Sequence, residues 1–163
     1  MNKPWSIRDR IVITISFLLA FILTIIPLPA VVMWFRPAWA MLVLVYWLIK
    51  VPHRFGLMGA WFVGLAMDLL TGTLLGVHAL VFTLIAFFIL KFHLMVRGFS
   101  TGQKLLSILL LQILYLFVQH WIMGLNHVSS YAWQYWMPAM TTTLCWPMVA
   151  LLLRDYQNFF KMR

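Results

Sequence analysis

Asp68 is the residue whose type and setting most demand a chemical explanation. It is the one acid inside a long apolar run, whereas Asp9 and Asp155 sit beside Arg8, Arg10 and Arg154 near the two ends of the chain, where solvated ion pairing is expected. A carboxylate within a membrane-length apolar segment costs about 2.5–3.5 kcal/mol to insert, and such residues are functional-site candidates by default. Around it, Gly56, Ala60, Gly64, Gly72 and Gly76 fall at every fourth position with Asp68 itself, so small side chains form one ridge. Ridges of this kind let helix backbones approach closely in lipid, where no hydrophobic force separates helix from acyl chain. The spacing predicts a packed internal helix that carries a single acid into a protein interface. Two roles are open for that acid. One is a buried acceptor that fixes helix packing or caps a broken helix near Thr71; the other is a station on a proton or solute path. Such paths string several ionisable groups together, and with one acid available the structural or partner-docking role is favoured.

Other chemistry has little to build on. The five histidines, His53, His78, His93, His120 and His127, include no H-x-x-x-H pair, and Cys145 is alone in an apolar segment. No second intramembrane carboxylate pairs with Asp68. The sequence therefore assigns no catalytic, cofactor-binding or metal-ligating residue, since an enzyme needs nucleophile, base and transition-state donors in one place. His53 and Arg54 fall in a turn where they face lipid phosphate or a partner. Gln119 and His120 lie within an apolar segment and suit interhelical hydrogen bonds.

The elements that must position these residues are membrane helices. The 163 residues are 64% apolar and only 9% charged, against about 25% charged in soluble domains. A span takes about 20 residues, so the chain is expected to be one all-α membrane domain, 1–163, with six spans near 11–33, 37–51, 55–75, 77–96, 104–125 and 132–153. Breaks fall at Pro27 and Pro29, before Pro37, at Pro52-His53-Arg54, at Thr71-Gly72-Thr73 with Gly76, and in the polar turn 126–130. The first apolar run is long for a signal core and lacks a clear cleavage site, so it is expected to remain as a span.

Charge sets the orientation. The second segment has only about fifteen residues, but if it crosses, eleven of the twelve basic residues share one side and Arg36 alone faces the other. If it fails to cross, nine of them lie outside. The positive-inside rule then selects six spans with both termini cytoplasmic. Trp34 and Trp39 around Arg36, and Trp133, Tyr135 and Trp136 before the last span, mark the outer interface. The net charge of +9 sits at span ends instead of forming a face, which argues against nucleic acid as a partner.

The ordered set Arg36-Pro37-x-Trp39, Tyr46-Trp47, Pro52-His53-Arg54, Gly64-Leu65-x-x-Asp68, Gly72 and Leu75-Gly76, with Trp146-Pro147 in the last span, resembles the rod shape-determining protein MreD family. The resemblance is densest over 36–76. It implies a non-enzymatic inner-membrane scaffold of the bacterial cell-wall elongation machinery, embedded in the lipid bilayer. The expected companions are the bitopic shape protein MreC, the actin-like MreB and the peptidoglycan synthases. The family also looks like the six-helix substrate-binding subunits of vitamin transporters, which supplies the rival function. Short loops and few polar groups within spans argue against that rival. On this resemblance Asp68, Gly64, Gly72, Gly76, Arg36, Pro37, Trp39, Tyr46, Pro52, His53 and Arg54 are the candidate packing and partner-contact residues.

Overall fold

Apolar segments separated by proline and glycine form helices. In the computed structural model these are α1 (Ile7–Ile25), α2 (Trp39–Lys50), α3 (Pro52–Thr71), α4 (Val77–Gly98), α5 (Thr101–Leu125) and α6 (Met137–Phe159), with a single 3-10 turn at Trp133–Trp136 before α6. The structure describes residues 7–27, 29, 33–125 and 133–159, the side chains at 53, 54, 123–125, 133, 134 and 159 excepted. Lys3, the turn 126–130 with His127, Lys161 and Arg163, and the side chains of His53, Arg54 and Trp133, therefore lie outside the described residues. Among the described residues there is no strand.

Helix ends depart from the hydrophobic runs for identifiable reasons. The first helix stops at Ile25, just before Pro27, although apolar residues continue to 33. Pro37 precedes the second helix instead of lying in its first turn; α2 starts at Trp39, and Thr142 Oγ1 of α6 accepts the Ala38 N–H at 3.0 Å. Pro52 opens α3 directly, where its missing N–H costs nothing. The connection from α2 is Val51 alone, and a bend follows at Gly56, whose φ of 58° and ψ of −174° are non-helical. The 56–76 ridge is therefore not one helix. Gly72 (φ 65°) ends α3 in the left-handed conformation, and Gly76 (φ 105°) precedes α4. The last helix runs past 153 to Phe159, carrying Pro147 in its interior.

The core is organised around α2. Every residue from Ala40 to Leu48 is buried, as expected for a helix that is hydrophobic all round. It contacts α1, α3, α4 and α6. At about 1.5 Å per residue its twelve residues are only ~18 Å long. Enclosure by longer helices frees it from matching an apolar layer on its own. Its polar tips bind neighbours: Trp47 Nε1 donates to Ser16 Oγ of α1 at 2.8 Å, and Tyr46 Oη donates to Gln157 Oε1 of α6 at 3.0 Å.

The outside is apolar. Ile11, Leu18, Leu19 and Ile22 on α1 and Leu144, Met148 and Leu152 on α6 are all exposed, while Asp68, Gln112 and Thr142 are fully buried. Soluble monomers rarely expose contiguous apolar patches beyond a few hundred Å². Polar groups inside and hydrocarbon outside is the arrangement of a protein dissolved in lipid. Among the described residues α4 and α5 are each long and apolar enough on their own to cross a membrane.

Candidate functional site

Asp68 lies in the last turn of α3 and reaches across the break to the beginning of α4. Oδ2 accepts the backbone N–H of Gly76 at 2.8 Å and of Ala79 at 3.4 Å. Oδ1 accepts the backbone N–H of His78 at 2.9 Å, the Thr73 hydroxyl at 2.9 Å and His78 Nδ1–H at 2.8 Å. A helix leaves its first N–H groups without intrahelical partners. Here one carboxylate from the preceding helix satisfies several of them at the positive end of the α4 dipole. All five contacts come from donors, which suits a carboxylate anion. The turn that makes this reach possible needs the left-handed backbone at Gly72 and Gly76, a conformation other residues adopt only with strain.

Gly64 lies one turn earlier on the same face. A Cβ there would collide with the backbone of His78 and Ala79, standing 2.7 Å from the His78 carbonyl carbon. Backbone therefore touches backbone where α3 and α4 cross, and this closeness brings the α4 amides within reach of Asp68. Ala60, a further turn back, is fully buried. Of the six ridge positions, Ala60, Gly64 and Asp68 share this packed face, while Gly56, Gly72 and Gly76 set backbone bends.

His78 extends the network to a third helix. With Nδ1–H given to Asp68, its Nε2 accepts from Gln119 Nε2–H of α5 at 2.8 Å. The His78 ring packs 6.1 Å from Phe82 and 6.0 Å from Tyr115, centroid to centroid. Both imidazole nitrogens are engaged and the residue is buried, so the Asp–His pair presents no free base to a substrate. Sequence reasoning missed His78, Gln112 and Tyr115. A signal was present: Gln112, Tyr115 and Gln119 fall at i, i+3 and i+7 and mark one polar stripe on an apolar helix.

Beside this stripe is a cavity of about 300 Å³, near the C-terminal end of α1 and the N-terminal end of α6. Arg36, Trp39, Gln112, Tyr115, Gln119 and Tyr135 supply its polar and aromatic lining. Gln112 is fully buried, and neither its Nε2 nor its Oε1 has a hydrogen-bond partner. Such an orphan amide costs about 1–3 kcal/mol. At the rim, Arg36 donates through Nη1 to the Thr24 carbonyl and through Nη2 to the Ile26 carbonyl, while its buried Nε has no partner. Thr24 is in the last turn of α1 and Ile26 directly follows it, a helix end where cations complement the dipole. Arg36 thus closes the C-terminal end of α1 as Asp68 closes the N-terminal end of α4. The few polar groups within the helices are gathered inside the bundle, with Ser16, Asp68, His78, Gln112, Gln119 and Thr142 all buried.

The predicted residues divide into separate places. Gly64, Asp68, Gly72 and Gly76 meet at the α3–α4 junction, and Arg36, Pro37 and Trp39 lie together on the cavity rim. Tyr46 and Pro52 belong to the opposite half of the bundle, and the His53 and Arg54 side chains are outside the described residues.

A family model described as rod shape-determining protein MreD matches residues 7–156. The Rod shape-determining protein MreD of Haemophilus influenzae (strain ATCC 51907 / DSM 11121 / KW20 / Rd) is 35% identical over 147 residues, covering 90% of each chain. No solved structure matches. With the family matched over nearly the whole chain and a relative similar over nine-tenths of its length, this chain belongs to the MreD family of rod shape-determining proteins.

Proposed function

We propose that this chain is a non-enzymatic scaffold of the cell-wall elongation machinery, crossing the bacterial inner membrane six times with both termini cytoplasmic. Family membership supports a role in cell shape and a place in the membrane. The six long helices among the described residues, and the positive-inside rule, under which six crossings would gather eleven of the twelve basic residues on the cytoplasmic side, support this topology. On this reading the protein helps to organise peptidoglycan synthesis by holding other membrane proteins. MreC, MreB and the synthases are its proposed partners.

The observation that carries the docking role is the cavity beneath Arg36 and Trp39. An apolar-walled pocket whose buried Gln112 lacks both a donor and an acceptor is incomplete as it stands. We assign its completion to a polar side chain from the outer, membrane-proximal segment of a partner, guided in by the Arg36–Trp39 rim. The same pocket gives the rival reading, a substrate-binding subunit of a small-molecule transporter, its one specific support, since a volume near 300 Å³ lies at the small end of ligand sites.

Gln112→Leu separates these readings from a purely structural pocket. Replacing an unpaired buried amide with an apolar isostere is neutral to stabilising for the isolated protein. The expected result is an unchanged or raised melting temperature in detergent together with loss of rod shape in complemented cells. Full complementation by the variant excludes a function for the pocket. Affinity recovery from detergent extract then decides the occupant. Elongation proteins lost on Gln112→Leu support the scaffold, whereas a co-purified ATPase pair and small molecule support transport.

A further inference from the structure

At the opposite end of the bundle, where α2 ends and α5 begins, α2, α5 and α6 leave a second cavity of about 390 Å³ between them. Lys50 from α2, Lys104 from α5 and Arg154 from α6 line it together. Three cations from three helices thus converge on one space. The acid paired with them, Asp155, lies 3.8 Å from Arg154 Nε in a pair whose side chains are both more than half exposed, a geometry that neutralises little. Thr101, the first residue of α5, lines the same cavity, so the positive end of a 25-residue helix opens onto it as well. Towards the middle of the bundle the wall becomes apolar, through Ile49 and Trp146. Tyr46 stands at this wall with its hydroxyl held by Gln157. The Tyr46 and Trp146-Pro147 motifs, which the docking site leaves unused, therefore border this second cavity.

A strongly cationic mouth over an apolar wall, facing outward between helices, is complementary to an amphiphile with a phosphate head. Basic pockets between membrane helices bind anionic lipid head groups by this combination. We propose that the Lys50–Lys104–Arg154 cavity binds the phosphate of an anionic phospholipid, with the acyl chains leaving along the Ile49–Trp146 wall. The lipid joins α2, α5 and α6 at this end.

The test uses the full-length protein purified in dodecyl maltoside, with lipid binding read by native mass spectrometry. Phosphatidylglycerol and phosphatidylcholine of identical chains serve as probes. The wild type should retain phosphatidylglycerol at least about tenfold better, and Lys50→Gln/Lys104→Gln should abolish that preference. Lys91→Gln/Arg97→Gln removes as many charges from the same end of the bundle but outside the cavity, and should keep it. Equal losses in the two double variants would mean diffuse surface charge and overturn the site. Equal retention of the two lipids by the wild type also overturns it, as does displacement of phosphatidylglycerol by millimolar inorganic phosphate, which would make the site one for free anions. The single variants Lys50→Gln and Lys104→Gln, each expected to lose part of the preference, keep the proposal testable if the double variant misfolds.

Discussion

Asp68 and Arg36 place opposite charges on opposite helix ends. Each does through a tertiary contact what a capping residue does locally. This sharpens what substitution of Asp68 should do. Both carboxylate oxygens accept from donors, so Asn must turn its NH₂ towards one set of N–H groups. Asp68→Asn is therefore expected to cost about 1–3 kcal/mol of stability, and Asp68→Leu, which removes every acceptor, about 3–5 kcal/mol. Thermal unfolding in detergent should rank them wild type, Asn, Leu. An Asn variant as stable as wild type but inactive would mean that the charge itself is used. Arg36 gives a second ranking. Its guanidinium spans two carbonyls at once, whereas an ammonium is a compact point charge without that planar fork. Arg36→Lys keeps the charge but loses one of the two bonds, about 0.5–1.5 kcal/mol, Arg36→Ala loses both bonds and the charge–dipole attraction as well, and both should weaken partner recovery beyond what their melting temperatures explain. Asp68 was legible in the sequence because an acid among apolar residues has few explanations. Its partner His78 was not, because a break at Gly72 and Gly76 does not by itself say that the chain folds back to bring the start of α4 against Asp68.

Between elements, the α3–α4 junction is the place least tolerant of added volume. Gly64 has Ala79 backbone where a methyl group would go, so Gly64→Ala must push the helices apart and lengthen the Asp68 contacts together. Overpacking of this kind costs about 1–3 kcal/mol. The expected outcome is a lower melting temperature and less monodisperse protein, whereas Ala at Gly102, where a Cβ meets open space, should leave both unchanged. The close crossing was readable from small residues four apart. The division of labour among the glycines was not, because spacing alone does not distinguish a residue chosen for lack of bulk from one chosen for positive φ. Helix bounds and apolar runs differ at α1 and α6 for a related reason: hydropathy continues past Ile25 and fades before Phe159, while backbone hydrogen bonding follows proline and the caps.

For the whole molecule, burial is inverted relative to a soluble domain, with polar contacts inside and exposed leucine and isoleucine outside. Topology is the prediction at this scale. With native Cys145 replaced by Ala, Ser129→Cys should react with a membrane-impermeant maleimide in intact cells, and a cysteine at Asn2 should react only after lysis. Labelling of position 129 from the cytoplasmic side alone would reject six crossings. Composition and charge made the fold class and the number of helices legible. The two cavities were not, since each gathers residues from segments far apart in the chain.

The burial of α2 from Ala40 to Leu48 also bears on how the protein is made. Gln157 to Tyr46, and Thr142 to Ala38 just before its first turn, are contacts supplied by α6, which leaves the ribosome after α3, α4 and α5. Until then the nascent chain has a short helix with one flank uncovered, joined to α3 by a single residue. Biogenesis must therefore hold an unfinished intermediate through the synthesis of three further helices. A chain ending at Leu125 should be cleared by membrane proteases within one pulse-chase, and a separately expressed α6 segment should rescue it.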